Sequence, residues 1–125
     1  MTEIERAGWE GRFEVFLNRD GRFGDAAHDL GHVKRVVGSA LDLARRETSD
    51  ADIVFAAAWL HDCVAVPKDS PDRSRGSRLA AQAATVFLEA NGWPADQIPS
   101  IAHAIEAHSF TANIEPRTPE ARVVQ

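Results

Sequence analysis

The sequence predicts an all-α protein of a single domain, and three observations support this. The chain has 125 residues, 44% of them hydrophobic and 26% charged, as expected of one globular domain. Apolar residues recur at the three- and four-residue spacing of amphipathic helices in successive stretches. No stretch shows the clean alternation of apolar and polar residues that marks a half-buried strand. We therefore expect a bundle of five helices and the start of a sixth.

The first half of the chain contains three predicted helices. The first covers residues 2–18 and the second residues 26–47, each with apolar residues at helical spacing. Residues 48–50 offer N-cap side chains for a third helix over residues 51–62. Because residues 53–60 are all apolar, this third helix should be buried on several sides.

The second half begins with a polar loop that leads to a fourth helix over residues 77–91. A fifth helix is predicted over residues 95–108, from isoleucines on one stripe, and a sixth begins at Pro119. The buried face of the fourth helix is predicted from its apolar periodicity. Its expected members are Leu79, Ala83, Val86, Phe87 and Ala90.

Charge and composition exclude several classes of function. A formal net charge of −5 argues against a protein that binds nucleic acid by broad phosphate neutralisation. A small anionic ligand is still compatible, because a metal ion and a few basic side chains can reverse the local field. The single cysteine, Cys63, cannot form an internal disulfide and is expected to be buried and inert. With no membrane span or signal peptide in the sequence, we expect a cytoplasmic protein.

The candidate functional residues centre on His61 and Asp62, which end the apolar third helix. Polar side chains in such a place need partners, since unpaired burial costs free energy. Upstream, His28 and His32 lie four residues apart, on roughly one helix face. Imidazole and carboxylate are good ligands for divalent transition metals. The residues alone leave two interpretations open: a metal site, or a helix C-terminus where protonated histidine is favoured by the helix dipole.

Five motifs follow one another along the chain: His28-Asp29-Leu30-Gly31-His32, Leu60-His61-Asp62, Pro67-Lys68, Arg73-Ser74-Arg75-Gly76-Ser77 and Ala107-His108-Ser109-Phe110. Each motif is weak by itself. In this order and spacing, over about residues 24–125, they resemble the pattern of small bacterial hydrolases in the HD-domain phosphohydrolase superfamily. The resemblance implies an HD-type helical bundle and metal-dependent hydrolysis of phosphate esters.

The resemblance also implies roles for individual residues. His32, His61 and Asp62 would bind a divalent cation, which could be Mn, Mg, Fe, Co, Ni or Zn. Asp62 or Asp29 would accept a proton during catalysis. His28 would contact substrate, orient a ligand or bind a second metal, unless it is simply a structural polar residue. The expected substrate-binding residues are Lys68, Arg73, Arg78 and His108, for which the alternatives are a solvated charged loop and, for the histidine, a core position.

The expected substrate is a phosphomonoester or a nucleotide, including nucleoside di- and triphosphates. Two other functions stay open, a non-catalytic metal- or nucleotide-binding module and an HD-type oxygenase with two irons. In the hydrolases that the chain resembles, an Asp-Ala-Asp sequence follows the stretch that ends here at Gln125, and one Asp completes the metal shell. We therefore expect these residues alone to be weakly active or inactive. Dimerisation, or the exchange of a terminal helix with a second copy of the chain, would cover the apolar core that the missing helix leaves exposed.

Overall fold

Six α-helices make up most of the part of the chain that the computed structural model describes, namely residues 3–18, 30–46, 50–61, 63–64, 75–107 and 118–124. No strand occurs among these residues. The prediction of an all-α bundle is therefore confirmed. None of the helices in these ranges is long and apolar enough to cross a lipid bilayer. In chain order the helices are α1 (Glu3–Leu17), α2 (Leu30–Arg46), α3 (Ala51–Leu60), α4 (Gly76–Ala90), α5 (Ile98–Ala107) and α6 (Pro119–Val124).

Helix α3 is the centre of the bundle. Its residues from Ile53 to Leu60 are all buried, and it contacts each of the other five helices. Its start is fixed by Asp50, whose carboxylate accepts hydrogen bonds from the backbone N–H groups of Asp52 at 2.9 Å and Ile53 at 3.5 Å. This cap satisfies two of the four N–H groups that a helix start leaves without intrahelical partners. The expectation that this helix is buried on several sides is confirmed.

An aromatic cluster fastens α1 to the rest of the core. Phe13 lies at its middle and is fully buried. Aromatic rings whose centroids lie 4.5–7 Å apart stabilise the fold by more than the burial of their surfaces alone. The Phe13 ring has five such neighbours, at 5.7–6.3 Å: Trp9, Phe55, Trp59, Phe87 and Trp93. One side chain of α1 thereby joins α3, α4 and the turn before α5.

Helix α4 buries a face that overlaps only in part with the predicted one. Val86, a predicted core residue, is 68% exposed, whereas Ala80, Ala81, Ala84 and Leu88 are buried. Two predicted members, Ala83 and Phe87, are partly buried against the core. The prediction was wrong for Val86 and Ala90, which are exposed. Three short alanine side chains allow α4 to approach α3 and α5, so close packing, rather than hydrophobicity alone, decides which face is turned inward.

Helix α5 begins three residues later than predicted, at Ile98. The preceding residues form a turn, in which the N–H of Gln97 donates to the carbonyl of Pro94 at 3.1 Å. The Gln97 side-chain oxygen accepts from the indole N–H of Trp93 at 3.0 Å. Pro99 then falls in the first helical turn, where its missing N–H costs nothing. The turn thus takes up residues that apolar periodicity had assigned to the helix.

The first prediction concerns the Phe13 contact. Phe13→Ala should lower the free energy of unfolding by about 3–5 kcal/mol, because it opens a cavity at the middle of the aromatic cluster. The measurement is urea denaturation followed by tryptophan fluorescence and circular dichroism. Val15→Ala is the matched control on the same helix, since Val15 is 75% exposed, and it should change stability by no more than about 0.5 kcal/mol. Equal effects of the two substitutions would contradict this account of the core.

Candidate metal centre

Helices α2 and α3 form the frame of the predicted site. They pack against each other, and only residues 47–50 separate them along the chain, so they run antiparallel, as short connections require. The start of α2 therefore lies at the same end of the pair as the end of α3. At 1.5 Å per residue, His32 lies about 21 Å from the connection and His61 about 15 Å. The two histidine positions therefore come to the same end, to within about one helical turn along the axis.

His61 is the C-cap residue of α3, with helical backbone angles of φ −59° and ψ −25°. Its ring is half-buried, and Nδ1 lies 2.6 Å from the carbonyl oxygen of Ala58. A carbonyl oxygen only accepts, so Nδ1 carries the proton and donates it. In the neutral ring the lone pair is then on Nε2. Metal-binding histidines use this arrangement, with one nitrogen donating to a carbonyl or carboxylate and the other facing the metal.

The segment that follows His61 is fixed against α4. The N–H of Cys63 donates to the carbonyl of Leu60 at 3.1 Å, which closes a turn at the end of α3. The Cys63 thiol, 1% exposed, donates to the carbonyl of Ala80 at 3.3 Å. The expectation that this thiol is buried is confirmed. Its contact brings the end of α3 beside the first turns of α4.

The other predicted site residues fall into two groups. His32 is the third residue of α2. Arg78 is an exposed residue in the first turn of α4. Within the described ranges, no group of three or more His, Cys, Asp or Glu side chains is placed to hold a metal. The predicted three-residue ligand set therefore stays a prediction. The predicted residues outside the described ranges are His28, Asp29, Asp62, Lys68, Arg73 and His108.

Sequence reasoning missed one polar residue near this end of the bundle. Ser77, in the first turn of α4, is only 5% exposed. Its position at the end of the motif Arg73-Ser74-Arg75-Gly76-Ser77 was the available signal. Nothing in the spacing indicated that its hydroxyl is buried, because the motif lies where a polar loop enters the helix.

Comparison with known proteins gives one match. The sequence model of the HD domain matches residues 29–125, a span that includes helices α2 to α6 and all but the first of the candidate site residues. No curated protein matches the chain significantly. No solved structure matches it significantly either.

The second prediction tests the ligand role of His61. His61→Asn keeps an amide donor for the Ala58 carbonyl but removes the Nε2 ligand. It should therefore keep the unfolding free energy of the metal-free protein within about 1 kcal/mol of wild type, while lowering Mn²⁺ affinity at least about a hundredfold. Affinity is measured by calorimetric titration of the metal-stripped protein. His103→Asn, a half-buried histidine of α5, is the control and should bind Mn²⁺ like wild type. Unchanged affinity in His61→Asn would remove this residue from the site.

Proposed function

The chain belongs to the HD domain family, and from this premise we propose that it is a metal-dependent phosphohydrolase of phosphomonoesters or nucleotides, nucleoside di- and triphosphates included. HD domains in general bind divalent metal ions and hydrolyse phosphate esters. The observation that carries the proposal for this chain is the His61 ring. Its Nδ1 is held by the Ala58 carbonyl at 2.6 Å, so Nε2 carries the lone pair of the neutral ring.

His32, His61 and Asp62 would hold the cation. A bound divalent cation supplies Lewis-acid polarisation of a phosphate oxygen and a lowered pKa for water. The part played by His61 is supported by its anchoring, since a ring fixed at Nδ1 presents Nε2 in one direction. Asp62 or Asp29 would accept the proton of the attacking water. His28 would contact the substrate or orient one of these groups.

Basic side chains would neutralise the phosphate. We assign this role to Lys68, Arg73, Arg78 and His108. Support comes from Arg78, which is exposed in the first turn of α4. That turn precedes Ala80, whose carbonyl accepts from the Cys63 thiol two residues after His61. Positive charge beside a metal centre is the electrostatic arrangement that stabilises a transferring phosphoryl group. A cytoplasmic location and a homodimer stay predictions from the sequence.

The third prediction tests the activity itself. The metal-stripped chain, reloaded in turn with Mn²⁺, Mg²⁺, Fe²⁺, Co²⁺, Ni²⁺ or Zn²⁺, should release phosphate or pyrophosphate from a panel of phosphomonoesters and nucleotides. Chelation, or the substitution His61→Asn, should reduce release at least about a hundredfold, whereas His103→Asn should not. Metal and nucleotide binding without release under any condition would instead indicate a non-catalytic binding module. Oxygen consumption by the iron-loaded protein would indicate the oxygenase.

The fourth prediction tests the basic residues. Lys68→Ala and Arg78→Ala should each raise KM or lower kcat about tenfold or more, because each removes a charge-assisted contact to phosphate. Calorimetry should show Mn²⁺ affinity unchanged in both variants. Arg45→Ala is the control, since Arg45 is 76% exposed and pairs with Asp42 on α2. Wild-type kinetics in both Lys68→Ala and Arg78→Ala would identify these side chains as solvated surface.

A further inference from the structure

The buried hydroxyl of Ser77 has no hydrogen-bond partner among the described residues. Ser77 is also the one buried polar residue in the described part of the chain, at 5% exposure. Buried hydroxyls in folded proteins are almost always paired, because unpaired burial costs free energy. An orphaned hydroxyl of this kind needs an explanation, and a ligand that pairs with it is one.

Another hydroxyl on the same helix shows what a paired one looks like. Thr85 donates to the carbonyl of Ala81, four residues earlier, at 2.8 Å. Ser77 is the second residue of α4, so the position four residues before it lies outside the helix. Its hydroxyl therefore lacks the helical carbonyl that satisfies Thr85. The partner of Ser77 has to come from outside α4.

The start of α4 also offers backbone N–H groups as hydrogen-bond donors near Ser77. The first four N–H groups of a helix have no intrahelical partner, and the N-cap residue Arg75 makes no side-chain cap. The start of α3, by contrast, is capped by Asp50. Helical Cα–Cβ bonds tilt toward the N-terminus, so the Ser77 hydroxyl lies on the same side as these N–H groups. The first turn thus presents N–H donors and a hydroxyl together.

The charge around this turn favours an anion. The first turn of α4 has no acidic residue, and both Arg75 and Arg78 are exposed beside Ser77. The N-terminus of a helix carries a partial positive charge, and its N–H groups bind phosphate and other oxyanions. Gly76 is half-buried, so the turn lies at the border between the core and solvent rather than deep inside.

This turn lies beside the end of α3 that carries His61. Cys63, two residues after His61, donates its thiol to Ala80, three residues after Ser77, at 3.3 Å. Three residues of helix amount to about 4.5 Å along the axis. Ser77 is therefore about one helical turn from Ala80, whose carbonyl contacts the Cys63 thiol.

We propose that the first turn of α4 is a phosphate subsite, in which the Ser77 hydroxyl and the backbone N–H groups of that turn donate to phosphate oxygens beside the His61 end of α3. The identification of this phosphate as that of the substrate rests on the proposed hydrolase function. Ser77 acts as a binding residue that positions the phosphate. A phosphate oxygen would give the buried Ser77 hydroxyl the acceptor that it lacks among the described residues.

The test is phosphate binding by the full chain without metal. In the presence of a chelator, inorganic phosphate is titrated at constant ionic strength and followed by calorimetry and by the unfolding temperature, which rises when a ligand binds the native state. Ser77→Ala should weaken phosphate binding about tenfold or more. Without phosphate, its unfolding temperature should equal or exceed that of wild type, because the unpaired hydroxyl is gone. A serine with only a structural role would show the opposite, a lower unfolding temperature and unchanged phosphate affinity.

Two further variants complete the test. Thr85→Val removes a hydroxyl that is already paired within α4, so it should bind phosphate like wild type. Ser77→Cys replaces the hydroxyl with a slightly larger thiol, which is a weaker donor, so it should lose affinity in the same direction as Ser77→Ala. Wild-type phosphate affinity in both Ser77 variants, or no phosphate binding by the metal-free wild type, would overturn the proposal.

The subsite and the hydrolase function can fail separately. His61→Asn should still bind phosphate without metal, because the subsite uses α4 alone. If the protein hydrolyses nothing but Ser77-dependent phosphate binding persists, the subsite stands and the proposed function falls. If it hydrolyses a phosphate ester and Ser77→Ala matches wild type in KM, kcat and phosphate affinity, the function stands and the subsite falls.

Discussion

Helix α3 is apolar around its whole circumference, and the rest of the described structure is arranged to cover it. Ile53 to Leu60 are buried without interruption, so no side of this helix can face water, and each of the other five helices contacts it. A helix enclosed in this way has only its two ends available for polar side chains. Asp50 caps one end and His61 closes the other. Because the core packs around the whole of α3, the polar candidate residue His61 lies at the end of this helix.

That confinement explains how much of the site could be predicted from the sequence. The sequence shows eight consecutive apolar residues directly followed by His61. This pattern indicates a central buried helix, and it marks His61 as a candidate functional residue. The identity of the neighbouring helix is equally accessible, because a short connection makes α2 antiparallel to α3. The hydrogen bond from His61 Nδ1 to Ala58 could not be predicted, since it depends on the rotamer of a residue at the point where the helix ends.

Sequence reasoning placed part of the buried face of α4 wrongly, and this error has one physical cause. Apolar periodicity ranks Val86 above Ala80 and Ala84, yet Val86 is 68% exposed and both alanines are buried. Small side chains carry little hydrophobic signal but permit close packing of helices. The rotation of α4 that buries these alanines also leaves Ser77 at 5% exposure. Hydrophobic periodicity therefore identifies only part of the core face of α4 and does not identify its one buried hydroxyl.

The two helix ends that meet through Cys63 and Ala80 carry opposite partial charges. The C-terminal end of α3, at His61, carries the partial negative charge of its last carbonyl groups, and the N-terminal end of α4 carries a partial positive charge. A cation is favoured at the first and an oxyanion at the second. The thiol–carbonyl contact of 3.3 Å holds these two ends beside each other. The backbone dipoles of α3 and α4 are therefore consistent with the proposed metal ion at His61 and the proposed phosphate subsite at Ser77.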